Sequence, residues 1–204
     1  MDFARQGARV DVVEINPAVV PVAQHFFGME PEKLNLTIDD GRHYLNRCKK
    51  QYDAVVLDAF LGDSSPSHLL TRQAFSSVRR VLRPGGVLSI NVFGQLEEGQ
   101  DWFAASIEKT LKSVFASVRI HTSGDGGLFF AASDRSPFEF LHPPNVQGIH
   151  WRADEETKIA YTNIVQTVTE HGLVLTDNYN PAEFFDAHNR EKVRKNLAAM
   201  ARNL

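Results

Sequence analysis

Three acidic residues each close an apolar run: Glu14 after residues 8–13, Asp40 after residues 34–39 and Asp58 after residues 54–57. If those runs are parallel strands, their carboxyl ends form the rim of a ligand crevice, and three carboxylates line that rim. A carboxylate accepts two hydrogen bonds side by side, which suits the vicinal hydroxyls of a ribose. Glu14, in Val13-Glu14-Ile15-Asn16, is the candidate for that contact, with Ile15 beside it; a solvated strand-end carboxylate is the competing reading. Asp40 can accept from an adenine amino group, with Gly41 allowing close backbone approach, and the alternative is a plain Asp-Gly turn.

Asp58 is the candidate catalytic group, because it follows four apolar residues and opens the longest polar loop of the rim. A partly buried carboxylate there can act as a base or hold a cationic amine, whereas many strand-end aspartates only cap the next element. Asp63, Ser64, Ser65 and His68 share that loop and are able to line a substrate mouth, although the ordinary polarity of loops accounts for each of them as well.

Other patterns argue against whole classes of chemistry. His121, His142, His150, His171 and His188 lack metal-ligand spacing and a single cysteine cannot build a zinc site, so no metal is expected. Gly124 to Gly127 precede a strand rather than a helix, which is the wrong order for a phosphate cradle. A formal net charge of -3 with no basic block gives no electrostatic reason to expect nucleic acid, and the basic residues of the last helix, Arg190 to Arg202, read as a solvated face. Cys48, the lone cysteine, fits a reducing compartment and helix packing. The opening residues lack the apolar run of a signal peptide, and no segment approaches the roughly 20 apolar residues of a membrane span. The chain reads as cytoplasmic.

The elements that must position the carboxylates alternate between strand and helix, the pattern of a doubly wound α/β domain with a mostly parallel sheet. Strand 8–14 leads through Asn16-Pro17 into a helix closed by Gly28; strand 34–39 precedes a short helix through Tyr44-Leu45; strand 54–58 precedes the polar loop. A helix from about Thr71, apolar at Phe75, Val78, Val81 and Leu82, stops before the turn Pro84-Gly85-Gly86, and residues 87–93 form a buried strand. A helix over about 100–115 is followed by a hairpin of 118–122 and 128–132. Two helices, about 154–171 and 181–203, flank a strand-like 173–175. At 204 residues this is one domain: a nucleoside-binding core over 1–135 and an extension over 136–204 packing on it. Such a sheet normally opens with a strand and a glycine-rich turn, yet this chain begins in what reads as the following helix, so the first strand and turn are lacking.

The chain resembles the polyamine aminopropyltransferases, the spermidine synthase family, within the S-adenosylmethionine-dependent methyltransferase fold class. The resemblance spans about 8–133 and rests on Val12-Val13-Glu14-Ile15-Asn16-Pro17, Asp40-Gly41-Arg42 with Tyr44-Leu45, residues 52–58, and Leu70-Thr71 through Leu82-Arg83-Pro84-Gly85-Gly86. It implies that Glu14 binds the ribose and Asp40 the adenine of a decarboxylated S-adenosylmethionine donor. It implies that Asp58 is the first aspartate of the catalytic Asp-x-x-Asp-Pro loop, with a small amine such as putrescine as acceptor, no nucleic acid and a homodimer as the assembly.

Three departures qualify this. Leu61 and Gly62 stand where the second aspartate and proline fall, leaving Asp63 as a substitute only in a rearranged loop. The family's glycine-rich turn and amino-terminal β-hairpin domain are absent. The tail, Leu175-Thr176-Asp177-Asn178-Tyr179-Asn180-Pro181-Ala182-Glu183, looks like that of bacterial spermidine synthase-like proteins fused to membrane segments; it brings Asp177 or Glu183 near the substrate or serves as a helix-entry loop. Membrane association would come only through a fused upstream segment. The readings carried forward are an aminopropyltransferase, a methyltransferase using S-adenosylmethionine itself, and a non-catalytic relic or binding module of the same fold.

Overall fold

A computed structural model describes residues 2–60, 65–124, 126–140, 142–146, 151–168 and 170–201. The chain divides into two compact units, Met1–Lys49 and Lys50–Leu204.

The first unit is a βαβα segment. After a short helix α1 (Asp2–Arg5), β1 (Asp11–Glu14) and β2 (Asn35–Ile38) pair in parallel, with Glu14 opposite Ile38. Between them α2 (Val19–Phe27) is closed by Gly28, whose φ of 61° is the left-handed conformation that glycine adopts without strain. The next helix, α3 (Gly41–Arg47), is capped by Asp40, whose side chain accepts from the His43 amide. Leu45 and Cys48 are its buried apolar residues.

The second unit holds a five-stranded sheet in the order β3 (Tyr52–Leu57), β4 (Leu82–Phe93), β6 (Gly127–Ser133), β5 (Ser117–Thr122), β7 (Ile164–Val165). Strand β3 (Tyr52–Leu57) pairs in parallel with β4 (Leu82–Phe93) through the crossover helix α4 (Arg72–Val81). Thr71 caps α4 by accepting from the Ala74 amide, and Phe75, Val78 and Val81 are fully buried, as the apolar spacing predicts. Helix α5 (Trp102–Lys112) then leads into β5 (Ser117–Thr122) and β6 (Gly127–Ser133), an antiparallel hairpin in which β6 lies between β4 and β5. The α/β class with an antiparallel hairpin is therefore as the sequence implied.

Four expectations change in detail. The Pro84-Gly85-Gly86 turn lies within β4: the register against β3 shifts between Tyr52 and Ala54, and Gly85, at φ 76°, absorbs the irregularity. The buried strand 87–93 is buried on one face only, with Leu88, Ile90 and Val92 inside and the alternate residues part-exposed. Helix α6 (Trp151–Thr162) ends well before 171, because the β-branched pair Ile164–Val165 forms β7 against β5. Residues 173–175 belong to no strand. Their amides instead bond to side chains of α5, Leu173 to Ser106 Oγ at 3.1 Å and Leu175 to Thr110 Oγ1 at 2.9 Å. Together with α7 (Ala182–Ala201), this segment explains why α5 is buried nearly all round, including its polar Ser106, Glu108 and Thr110.

Candidate functional site

In the first unit the structure brings Glu14 and Asp40 to the carboxyl ends of their paired strands. Glu14 is the last residue of β1, and its main-chain oxygen accepts from the Asp39 amide at 3.0 Å. Its Oε1 accepts from the Asn16 amide at 2.7 Å, while Asn16 Oδ1 accepts from Ala18 at 3.0 Å, so the carboxylate and the asparagine shape the turn into α2. Ile15 is 58% exposed and presents an apolar surface next to that carboxylate.

Asp40 serves as the helix cap, with Gly41 as the first residue of α3. The cap bond runs from the His43 amide to Asp40 Oδ1 at 2.9 Å. The charged cluster at this edge centres on Asp39, which the sequence reading passed over. His43 Nδ1 lies 2.8 Å from its Oδ1 and Arg47 donates to Oδ2 at 2.5 Å. The His43 bond foremost, with the Asp40 amide and Arg47, holds the Asp39 carboxyl below the usual carboxylate range. The spacing of Asp39, His43 and Arg47 at every fourth residue on a helix entry was the available signal.

In the second unit Asp58 follows directly on β3, and Asn91 of β4 donates its amide to Asp58 Oδ1 at 3.0 Å. The register explains the pairing, since Leu57 is opposite Ile90 and the next residues meet side by side. Asp58 is exposed rather than partly buried, because β3 is the edge strand of its sheet. A small apolar gap of about 10 Å³, room for roughly one water, lies nearby between Leu57 and Asn91 on the strands and Ser65, Pro66, Leu69 and Leu70 on the β3–α4 connection. Phe60 and Phe93 pair at the same end, with ring centroids 5.7 Å apart. Asp63 and Ser64, with Leu61 and Gly62, lie outside the described residues.

Asp177 accepts from the Thr71 hydroxyl at 2.6 Å, and its amide donates to Gln73 Oε1 at 3.2 Å, which places it against the start of α4. A contact that the sequence did not announce, between buried Asp101 and half-buried His171, whose Nε2 lies 2.9 Å from Asp101 Oδ1, holds the segment before it: Asp101 also accepts from the Val168 amide. The larger cavity, of about 750 Å³, lies at the opposite end of the sheet around Arg79, Arg80 and the Pro84-Gly85-Gly86 stretch, where Arg79 pairs with Asp134; it is remote from Asp58 in register terms. Among the described residues no group of three or more His, Cys, Asp or Glu side chains is arranged to hold a metal ion, and no helix is long and apolar enough to cross a membrane.

Residues 5–124 match the family model described as the spermine/spermidine synthase domain, a span that includes Glu14, Asp40 and Asp58. A polyamine aminopropyltransferase of Vibrio vulnificus (strain CMCP6) is 34% identical over 90 residues, covering 42% of this chain and 30% of that relative. The chain spans less than half the length of the curated relatives it matches. A spermidine synthase solved with the transition-state analogue AdoDATO superposes with a TM-score of 0.57 at 16% identity, covering 74% of this chain and 58% of the other. Human methyltransferase-like protein 13 in complex with SAH superposes at 0.54 and 20% identity, covering 74% and 69%. These two likenesses establish the fold, and it is the family-model match, taking in well over half of the residues, that identifies the chain as a member of the spermine/spermidine synthase domain family.

Proposed function

We propose that the chain is the transferase domain of an enzyme that moves an aminopropyl group from decarboxylated S-adenosylmethionine to a small amine such as putrescine. The observation that supports this reading is the placement of Asp58: a carboxylate within the family-matched span, at the carboxyl end of β3 and hydrogen-bonded by Asn91. Glu14 and Ile15 would hold the ribose side of the donor and Asp40 with Gly41 the adenine side. The fit is chemical: Glu14 keeps acceptor capacity beyond the Asn16 amide, and exposed Ile15 offers an apolar surface to a base or ribose.

In the transfer, the neutral amine nitrogen attacks the carbon next to the sulfonium; the C–N bond forms as the C–S bond breaks, and methylthioadenosine leaves neutral. The acceptor arrives as an ammonium and must lose one proton to attack; the charge of the sulfonium then passes to the product, a secondary ammonium, so one proton is released per transfer. Asp58 accepts from the nitrogen, which orients its lone pair and draws the proton away. Asn91 supports this by holding one carboxylate oxygen and leaving the other to face the amine.

The test is methylthioadenosine release from decarboxylated S-adenosylmethionine and putrescine, compared between wild type and Asp58→Asn. Asparagine can still accept from Asn91, so the variant should lose transfer, by a factor of 100 or more on the order of a lost general base, while nucleoside affinity stays within about twofold. Unchanged turnover in the variant refutes the assignment of Asp58.

A second reading, methyl transfer from S-adenosylmethionine itself, is favoured by one observation: Leu61 and Gly62 replace the second aspartate and proline of the family loop. Methylation of the amine in place of methylthioadenosine release would establish it.

A further inference from the structure

We infer that the segment 175–183 is a brace that positions the β3–α4 connection, and that Asp177, Asn180 and Glu183 are positioning residues for the acceptor amine. The functional half of this inference rests on the transferase reading above; the structural half does not.

The brace touches the connection at successive points. The Leu175 carbonyl accepts from the Arg72 amide at 2.8 Å, and Asp177 accepts from Thr71 Oγ1 at 2.6 Å. The Asn180 side chain donates to the Ser67 carbonyl at 2.7 Å, and Glu183 accepts from Ser67 Oγ at 2.7 Å. The segment is built to present these groups together. Thr176 and Tyr179 exchange backbone hydrogen bonds at 2.9 and 3.2 Å, closing a tight turn, and Asn180 Oδ1 accepts from the Ala182 amide to start α7. One turn and one helix entry thus address both ends of the stretch from Ser67 to Gln73.

These polar contacts, of which those of Asp177 and Asn180 are part-buried, are not the segment's only anchors. Leu175 and Ala182 are essentially fully buried and already anchor it by apolar burial, whereas the bond from Ser67 to Glu183 is solvent-exposed, and exposed bonds add little net stability. What the polar contacts fix is geometry. Ser65, Pro66, Leu69 and Leu70 form one wall of the pocket whose other wall includes Asn91, the residue that orients Asp58. That pocket is a gap of about 10 Å³, room for roughly one water, so the brace sets the packing there and the gap is not the amine's chamber. A shift of the 65–71 stretch would move the connection that starts at Asp58 without touching the Asp58–Asn91 bond, and the acceptor amine is placed by that connection.

The experiment compares wild type with Asp177→Ala, Asp177→Asn, which keeps an acceptor oxygen, and Thr71→Ser, which keeps the hydroxyl. Amide hydrogen exchange is read at Leu69, Leu70 and Arg72, and transfer kinetics are measured with putrescine varied. Asp177→Ala should lose protection at those amides while the β4 and β6 amides keep theirs. Its KM for putrescine should rise about tenfold with the affinity for methylthioadenosine unchanged, and both conservative variants should restore wild-type behaviour. Unchanged exchange at the three amides overturns the brace. A uniform fall in protection and melting temperature with no KM change overturns the positioning role. If wild type transfers nothing to putrescine, the transferase reading falls separately, and the brace stands or falls on the exchange data alone.

Discussion

Replacing Gly172 with alanine probes how the carboxyl-terminal segment is seated. An added Cβ would lie 2.6 Å from the Ala105 carbonyl oxygen, 2.7 Å from its carbon and 3.1 Å from its Cβ. Ordinary contact begins near 3.4 Å, so the segment must retreat by about 0.8 Å or α5 must yield. Helix α5 is poorly able to yield, since Ala104, Ala105 and Ile107 are fully buried. A retreat of that size would stretch the Leu173–Ser106 and Leu175–Thr110 bonds, now 3.1 and 2.9 Å, beyond useful length. Overpacking costs about 1–3 kcal/mol and each of the two weakened bonds about 1 kcal/mol, so a loss of roughly 3–5 kcal/mol is expected. For a unit of this size that is a fall in Tm of roughly 6–20 °C. Thermal and urea denaturation measure it, and hydrogen exchange at Leu173, Leu175 and Arg72 shows whether the loss is local. Where the native site is roomy, glycine to alanine instead raises stability by about 0.4–1 kcal/mol through the unfolded chain. A Gly172→Ala protein as stable as wild type, or more so, would refute the packing argument.

Two further perturbations follow from the sites. Glu14→Gln keeps an oxygen for the Asn16 amide but removes the charge offered to a ribose; methylthioadenosine affinity should fall by about 10- to 100-fold in calorimetry with Tm nearly unchanged. His121 is buried, donates from Nδ1 to the Ala160 carbonyl at 2.8 Å, and has no partner at Nε2 among the described residues. Burial foremost, aided by Arg119, pushes its pKa below 6.5, against the raising effect of the Ala160 bond. The folded state therefore resists the second proton: this contribution is complete above the unfolded pKa and is lost as pH falls below it. Urea midpoints at about pH 7.5 and pH 5.5 should drop more for wild type than for His121→Asn, and equal drops would contradict the assignment.

The parts of the fold that could be read from the sequence are those specified by neighbours along the chain. Thr71 and the Phe75, Val78 and Val81 spacing announced α4, and the glycine cluster announced the β5–β6 hairpin. What escaped depends on distant partners. Leu173-Val174-Leu175 has the composition of a strand, but its amides find Ser106 and Thr110 some 65 residues earlier. Helix α6 stops at Thr162 because β5 offers Ile164 and Val165 a partner. The site divides in the same way. The strand-end positions of Glu14, Asp40 and Asp58 were legible, since each closes an apolar run. The exposure of Asp58 was not, because an apolar run of four residues reads the same in an edge strand as in a central one. The Asp39 cluster was visible in its spacing, and the attachment of Asp177 to Thr71 was not, for lack of any local signal.

Calorimetric titration of the protein with methylthioadenosine, decarboxylated S-adenosylmethionine and S-adenosylmethionine tests the central claim most directly. The account predicts that methylthioadenosine binds and that the decarboxylated donor binds more tightly than S-adenosylmethionine. Tighter binding of S-adenosylmethionine, or no binding of any of the three, would contradict it.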